Sequence, residues 1–201
     1  MPVREKDGPF VIGLTGSIGM GKTETARLFA AEGVPVFDAD AVVHDLYAGE
    51  AATMIEATFP GTTKNGAVDR GVLAQRVICH ADAFKRLESL MHPLVAACKA
   101  DFLAQNGQAP VVVLDIPLLL ETGEAVDAVV VATAPHDVQR ARVLARPGMT
   151  EAKFNALLGR QMSDAEKRAQ AHYLVMTDQG LDHAREQVKM ILADIGNKLR
   201  A

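Results

Sequence analysis

Short apolar runs alternate with longer amphipathic stretches along the chain. The apolar runs cover residues 10–14, 34–37, 111–114, 129–132 and 173–176. Runs that are apolar on both faces predict strands buried inside a parallel sheet, and the amphipathic stretches between them predict helices that cover it. The pattern therefore predicts an α/β, three-layer fold with helices on both faces of a parallel sheet.

About seventy residues lie between the second and third apolar runs, far more than a crossover between parallel strands requires. Their pattern predicts helices over 49–59, 71–79 and 83–103, and Pro93 is expected to kink or split the last of these. Residues 60–70 are polar and predict a loop. We interpret this block as a helical insertion that covers one edge of a site.

The chain of 201 residues fits a single domain. We expect a core of about residues 8–48, 108–135 and 171–201, a helical insertion at about 49–107, and a third segment at about 139–168. We find no internal repeat and no interdomain linker, so the insertion and the third segment are expected to belong to the same domain.

Charge and cysteine content narrow the classes of function. The formal net charge of −4 argues against a dedicated nucleic-acid binder but leaves an anionic small-molecule substrate open. Cys79 and Cys98 lack metal-ligand spacing, and the sequence shows neither an apolar signal region nor a run of bilayer length. We therefore expect a cytoplasmic protein with no membrane or nucleic-acid partner, working as a monomer or small homo-oligomer.

The segment after the first apolar run has the form GxxxxGK[ST]. It comprises Gly16, Ser17, Ile18, Gly19, Met20, Gly21, Lys22 and Thr23. Glycines let successive main-chain N–H groups point inward at phosphate oxygens, and the helix beginning near Lys22 adds its positive dipole end. Lys22 is expected to reach the β- and γ-phosphates, and the Thr23 hydroxyl to ligate Mg²⁺. The alternative is a glycine-rich turn that binds nothing, but the preceding strand and following helix argue against it.

Three aspartates follow predicted strands: Asp38 and Asp40 after the second, and Asp115 after the third. Ligands of such sheets bind outside the carboxyl ends of the strands, so these carboxylates are expected near the phosphates. There they can hold Mg²⁺ or accept a proton from an attacking hydroxyl. The alternative for Asp38 is a cap on the helix that follows, and the alternative for Asp115 is shaping the turn before Pro117.

Residues 139–168 contain seven basic and three acidic side chains in a chain that is acidic overall. Cap residues predict two helices within this segment, begun by Thr150 and by Ser163. We interpret the segment as a lid whose arginines, Arg140 and Arg146 foremost, stabilise charge on a transferred phosphoryl group and exclude water. A solvated basic helix face is the alternative. The glycine-rich loop, the three strand-end aspartates and a lid together predict ATP-dependent phosphorylation of a small molecule.

Several short blocks of the sequence resemble the dephospho-coenzyme A kinases in order and spacing. They span most of the chain, and their combination is specific, whereas the phosphate loop alone would not select this family. The blocks are Ile12 to Thr23, Val36-Phe37-Asp38-Ala39-Asp40, Gly66-x-x-Asp69-Arg70-x-x-Leu73, His92-Pro93, Asp115-Ile116-Pro117-Leu118-Leu119-Leu120-Glu121 and Gln139-Arg140.

The resemblance implies a P-loop kinase fold with a five-stranded parallel core, a helical substrate-binding insertion and a lid. It implies transfer of the ATP γ-phosphoryl group, with Mg²⁺, to the ribose 3′-hydroxyl of dephospho-coenzyme A, giving coenzyme A and ADP. The implied catalytic residues are Asp40, Lys22 and Arg140. The implied ATP site comprises Gly16 to Thr23, Glu24 and Arg146; the acceptor site comprises Asp38, Asp40, His92, Leu118 and Glu121; and the metal ligands are Thr23 and Asp115.

The match departs from the family pattern in the loop and around the fifth strand. Met20 replaces a small polar residue in the loop, His172 replaces an aspartate after Ala171, and Thr177 replaces an asparagine after the fifth strand, which affects any adenine contact from residues 177–180. Without the resemblance, His92 is interpreted as a partly buried helix residue. A related nucleoside monophosphate or small-metabolite kinase is the nearest alternative function, and a P-loop regulatory ATPase is an alternative of another class.

Overall fold

The computed structural model describes residues 8–77 and 80–201. In chain order the elements are β1 (Phe10–Thr15), α1 (Lys22–Ala31), β2 (Val36–Asp38), α2 (Ala39–Ala48), α3 (Glu50–Thr58), β3 (Thr63–Lys64), β4 (Ala67–Val68), α4 (Arg70–Val77), α5 (Ala81–Gln105), β5 (Val111–Asp115), α6 (Leu119–Thr122), β6 (Ala128–Thr133), α7 (His136–Leu144), α8 (Glu151–Leu158), α9 (Asp164–Ala169), β7 (Tyr173–Met176) and α10 (Leu181–Arg200). They form two compact units, one of residues up to 37 with 106–201 and one of residues 38–105.

Five strands of the first unit form one sheet in the order β2-β5-β1-β6-β7. Strand β1 pairs in parallel with β5 on one side and with β6 on the other, and β6 pairs in parallel with β7. The five strands predicted from apolar runs are all present, so the predicted α/β fold with a five-stranded parallel sheet is confirmed.

Burial explains why these strands are apolar on both faces. Every residue of β5 and β6 is buried, and successive side chains of a strand point to opposite faces. Val130 of β6 joins a core in which Phe29 of α1 and Val188 of α10 are fully buried. The next residue, Val131, joins a second cluster with Leu119 of α6. Helices therefore cover the sheet on both faces.

The second unit has an apolar core of its own, to which α2, α3, β4, α4 and α5 all contribute. Leu46, Ile55, Leu73 and Met91 meet there, and Ile55 is fully buried. Helix α2 belongs to this unit, whereas the division drawn from the sequence assigned residues up to about 48 to the core. The physical reason is the apolar face of α2, which packs on its neighbours in the helical unit.

A small hairpin lies within residues 60–70, where the sequence predicted only a polar loop. Strands β3 and β4 pair antiparallel, with Thr63 opposite Val68. The residues between them, Asn65 and Gly66, have φ values of 53° and 81°. Asn-Gly with left-handed conformation at both positions is the preferred two-residue hairpin turn. The strands were overlooked because each has only two residues and carries no periodic signal.

Pro93 lies inside α5, a helix of 25 residues, so it does not split this helix, and the alternative expectation of a kink stays a prediction. Buried Leu87 and Met91 hold the neighbouring turns in the core of the second unit, and this packing offsets the hydrogen bond that proline removes. The predicted helix over 71–79 is observed to Val77, and Cys79 lies outside the described residues. Among the described residues, no helix combines the length and apolar character that crossing a bilayer requires.

Candidate active site

The glycine-rich loop connects β1 to α1 at the carboxyl end of the central strand. Helix α1 begins after Gly21, and no side chain caps its first turn. Uncapped first-turn N–H groups together with the helix dipole favour an anion such as phosphate. The predicted order of strand, glycine-rich loop and helix is therefore present.

Two glycines of the loop are required by their conformation and their neighbours. Gly19 has a φ of 79°, and a Cβ there would lie 2.5 Å from a methyl group of Val143. Gly21 has a φ of 88°, and its Cβ would lie 2.9 Å from three side-chain atoms of Thr177. Side chains are disfavoured at positive φ and would also clash here. The loop can therefore approach α7 and the end of β7 only with glycine at both positions.

Met20, which departs from the family pattern, turns its side chain into the protein. Its side chain is buried, and its sulfur accepts a hydrogen bond from the Ala134 amide at 3.2 Å. The Met20 amide donates to the Ser17 carbonyl at 3.1 Å within the loop. The larger side chain is therefore accommodated below the loop, away from its main-chain N–H groups.

Lys22 forms an ion pair with Asp115 at the end of β5. The Lys22 Nζ lies 2.6 Å from Asp115 Oδ1, and the two side chains are 14% and 2% exposed. Since a buried carboxylate requires a partner, the lysine both neutralises Asp115 and is oriented by it. The sequence alternatives for Asp115, metal ligand or turn residue, did not include this ion pair.

The oxygens near the loop fit a magnesium ion held mainly by phosphates. Thr23 is exposed in the first turn of α1, and Asp115 lies at the end of β5. A hydroxyl and a carboxylate are hard donors, and Mg²⁺ commonly takes only one or two carboxylates besides phosphate oxygens and water. The described residues contain no cluster of three or more His, Cys, Asp or Glu side chains able to hold a metal. Glu24, the next residue, forms an exposed ion pair with Arg27.

Asp38 and Asp40 lie at the start of α2. Asp38 ends β2, and its Oδ1 accepts a hydrogen bond from the Ala41 amide at 3.0 Å, so it forms the helix cap considered from the sequence. Asp40 is exposed in the first turn of the same helix. In the part of the chain that the structure describes, its carboxylate has no hydrogen-bond or ion-pair partner, which leaves it open to an incoming hydroxyl.

Glu121 forms an ion pair with a lysine that the sequence analysis did not single out. Lys167 of α9 is fully buried, and its Nζ lies 2.8 Å from Glu121 Oε1. The same oxygen accepts a hydrogen bond from the Met162 amide at 2.9 Å. Partial burial raises the pKa of Glu121, but the hydrogen bonds and the positive charge of Lys167 outweigh it and hold that pKa below its ordinary value. Glu121 thus ties the segment after β5 to α9.

The other two residues of the expected acceptor site are exposed. Leu118 precedes α6, and 41% of its surface is exposed. His92 lies on α5 and is also exposed, so its interpretation as a partly buried helix residue is wrong. The apolar residues at 87, 90, 91, 94, 95 and 98 have helical spacing and form the face of α5 that joins the second core. His92 lies outside this stripe, a signal that sequence reasoning overlooked. Both side chains are accessible to a ligand.

The lysine- and arginine-rich segment folds into α7, α8 and α9. Thr150 caps α8 and Ser163 forms a capping box at α9, as the sequence predicted. Arg140 makes an ion pair with Glu151 in which both side chains are about half exposed. Arg146 follows α7 and is exposed. Exposed pairs of this kind stabilise little, so the Arg140 guanidinium can exchange its partner at small cost.

Arg142, rather than Arg140 or Arg146, contacts the segment around the loop. Its guanidinium donates to the Thr177 hydroxyl at 2.9 Å and to the Thr177 carbonyl at 2.6 Å. The Thr177 hydroxyl lies 2.9 Å from the Met20 carbonyl and donates to it. Sequence reasoning overlooked Arg142 because spacing does not distinguish it from its basic neighbours. No sequence signal was available, because the contact with Thr177 joins residues 35 positions apart and depends on the packing of α7.

The fold and this site define a class. A glycine-rich loop precedes an uncapped helix beside a parallel sheet, and its lysine is paired with a strand-end aspartate. This arrangement is that of a P-loop phosphotransferase. The family model of the dephospho-CoA kinases matches residues 10–183, and the chain belongs to that family. It is thus an ATP-dependent kinase, and the resemblance carried by the sequence blocks is confirmed.

Individual relatives match this chain over most of their length. The chain is 57% identical over 187 residues to the dephospho-CoA kinase of Rhodopseudomonas palustris strain BisB18, covering 91% of this chain and 94% of that protein. It is 56% identical over 189 residues to that of Bradyrhizobium diazoefficiens, covering 92% and 95%. The crystal structure of TT1252 from Thermus thermophilus matches with a TM-score of 0.83 and 32% identity, covering 93% of this chain and 98% of that one.

The Glu121–Lys167 pair predicts unequal effects of removing its two partners. Glu121→Gln leaves a fully buried ammonium without its carboxylate, and we expect it to lower the free energy of unfolding by about 3–5 kcal/mol. Lys167→Met leaves a carboxylate that is partly exposed and still accepts from Met162, so we expect a smaller loss. Chemical denaturation followed by circular dichroism measures both.

The same pair has a defined pH dependence. The folded-state pKa of Glu121 is lowered from 4.5, so its contribution is present above that value and disappears as pH falls through the folded-state pKa. The stability difference between wild type and Glu121→Gln should therefore shrink below pH 4.5. A difference that is constant with pH, or a larger loss for Lys167→Met, would contradict the assignment.

Proposed function

We propose that this chain transfers the γ-phosphoryl group of ATP to the ribose 3′-hydroxyl of dephospho-CoA, giving CoA and ADP. The observation that carries the proposal is the loop with Lys22 held against the buried end of β5, in a chain that belongs to the dephospho-CoA kinase family. The loop supports binding of a triphosphate, and membership of the family supports the choice of acceptor.

The chemistry requires a proton acceptor, and we assign that role to Asp40. The 3′-oxygen attacks the γ-phosphorus, the bond to the oxygen bridging the β- and γ-phosphates breaks, and ADP leaves with its electron pair. The hydroxyl proton passes to the Asp40 carboxylate. Among the three candidate aspartates, Asp38 caps a helix and Asp115 is paired with Lys22, whereas Asp40 is exposed and has no partner within the described residues. This contrast supports Asp40.

Lys22 and two arginines are assigned to charge stabilisation. Charge spreads over the γ-phosphoryl oxygens during transfer, so oriented cations lower the barrier. Lys22 is oriented before catalysis by Asp115, and Arg140 and Arg146 are exposed on the segment that we propose as a lid. The main-chain groups of Gly16 to Thr23, with Glu24 beside them, complete the proposed ATP site.

A magnesium ion and an acceptor surface complete the proposal. When bound, Mg²⁺ would neutralise charge that develops on the phosphate oxygens, and we propose that the Thr23 hydroxyl and the Asp115 carboxylate would hold it. For dephospho-CoA we propose contacts from Asp38, His92 and Leu118, with Glu121 as a residue that shapes the same acceptor site. The exposure of His92 and Leu118 supports a contact with the acceptor, and Glu121 acts through the segment that it ties to α9.

An acceptor panel tests the reaction. With Mg·ATP, we expect ADP release to depend on dephospho-CoA and a phosphorylated CoA product to be found by mass spectrometry. Nucleoside monophosphates and small alcohol metabolites should give little release, and omission of acceptor should give only slow hydrolysis. Faster transfer to another acceptor, or ADP release that is independent of any acceptor, would replace this proposal with one of the alternatives.

Asp40→Asn tests the proton acceptor. The amide keeps the size of the side chain but cannot accept the proton, so we expect kcat to fall by a factor of about 10²–10⁴ with ATP binding retained. Asp45→Asn, also exposed on α2, is the matched control and should leave kcat unchanged. If kcat of Asp40→Asn stays near that of wild type, Asp40 is not the base and transfer depends on positioning and charge.

Lys22→Ala tests charge stabilisation in the loop. Removing the ammonium should lower kcat by about 10²–10³-fold, more than it raises the KM for ATP, because its interaction is strongest in the transition state. Thermal unfolding serves as the control, since Asp115 then loses its ion-pair partner. Unchanged turnover in a folded variant would argue against the role of the lysine and of the loop.

A further inference from the structure

Two glutamines hold the main chain of a single loop residue, Ile18. The side-chain amide of Gln139 on α7 donates to the Ile18 carbonyl at 2.8 Å. The Ile18 amide donates to the side-chain oxygen of Gln161, which follows α8, at 3.1 Å. Gln139 is 2% exposed. We call these two side chains and their contacts with Ile18 the glutamine clamp.

The clamp restrains both backbone dihedrals of Ile18. Its N–H belongs to the peptide plane on one side of the Cα atom and its C=O to the plane on the other, and each plane is rigid. Fixing both planes therefore fixes φ and ψ at this residue. The next residue, Gly19, is intrinsically permissive and has a φ of 79°. The clamp thus acts where the loop would otherwise be least constrained.

We propose that Gln139 and Gln161 are positioning residues that preorganise the phosphate loop. They also hold the loop in a fixed position relative to the segment of α7 to α9, which carries Arg140 and Arg146. The inference rests on the proposed role of the loop in binding ATP. Ordering a loop costs conformational entropy, and a loop ordered before the ligand arrives binds more tightly. Gln139 lies on α7 and Gln161 lies between α8 and α9, so two parts of that segment are hydrogen-bonded to the same loop residue.

Neutral amides suit this position better than charged side chains. Gln161 has to accept a hydrogen bond, which a carboxylate does equally well, but a carboxylate would place negative charge beside the triphosphate. Gln139 has to donate while buried, and an amide does so without the desolvation cost of a cation. Replacing an amide of the clamp by a carboxylate or by an apolar side chain therefore separates the geometric effect of the clamp from its electrostatic effect.

The test measures hydrogen exchange of the Ile18 amide by NMR and equilibrium ATP binding in the full chain. Gln161→Met removes the acceptor, so we expect faster exchange at Ile18 and about threefold to tenfold weaker ATP binding. Gln161→Glu keeps the acceptor, so exchange should stay slow while ATP binding weakens through charge repulsion. Gln170→Met is the control: Gln170 is exposed near the end of α9 and contacts Met162 and Glu166, and both readouts should match wild type.

Gln139→Met and the double variant extend the test. If both side chains act on one residue, the combined loss of ATP affinity should be smaller than the two single losses combined, because the loop is already loosened. The KM for dephospho-CoA should change less than that for ATP. Unchanged Ile18 exchange in Gln161→Met, or unchanged ATP affinity in folded single variants, would overturn the proposal, as would additive losses.

The proposed clamp and the proposed transfer to dephospho-CoA can be rejected independently of each other. ATP binding and amide exchange require no acceptor, so the clamp can be confirmed even if dephospho-CoA proves not to be phosphorylated. Conversely, wild-type transfer to dephospho-CoA with no effect of the glutamine variants on ATP binding would retain the proposed reaction and remove the clamp.

Discussion

The buried carboxylate of Asp115 is the constraint on which the site depends. A charge removed from water requires a partner, and Asp115 finds it in Lys22. Because Asp115 ends β5 and Lys22 begins α1, their ion pair joins the end of one central strand to the loop that follows its neighbour, β1. The protein itself thereby directs the lysine toward the edge of the sheet where ligands of parallel α/β folds bind.

A second buried charge organises the segment after β6. Lys167 is fully buried and paired with Glu121, and Arg142 is engaged with Thr177. These two cations therefore serve the structure, although in the sequence they look the same as their neighbours. Arg140, in a half-exposed pair, and Arg146, which follows α7, are exposed, and these are the two arginines that we propose for contact with phosphate. The structural cations and the exposed cations of this segment therefore differ in burial and not in charge.

The sequence was sufficient to predict the sheet and the glycine-rich loop, but it was not sufficient to predict the contacts between distant segments. Strands and helix caps are local, so apolar runs and residues such as Ser163 predicted them. The partner of Glu121 was not predictable, because Lys167 lies 46 positions away and its burial depends on packing of α9. The exposure of His92, by contrast, was predictable, because the apolar residues at 87, 90, 91, 94, 95 and 98 have helical periodicity and His92 lies outside their stripe.

Met20 and Thr177, at which the chain departs from the family pattern, are hydrogen-bonded to each other. The Thr177 hydroxyl donates to the main-chain carbonyl of Met20, so the bond is independent of the methionine side chain. Thr177 also accepts from Arg142, and its polar atoms are therefore engaged in supporting the loop. An adenine contact from residues 177–180 stays a prediction, and it would involve the residues after Thr177. There Asp178 carries a buried Oδ1 that has no hydrogen-bond partner within the described residues.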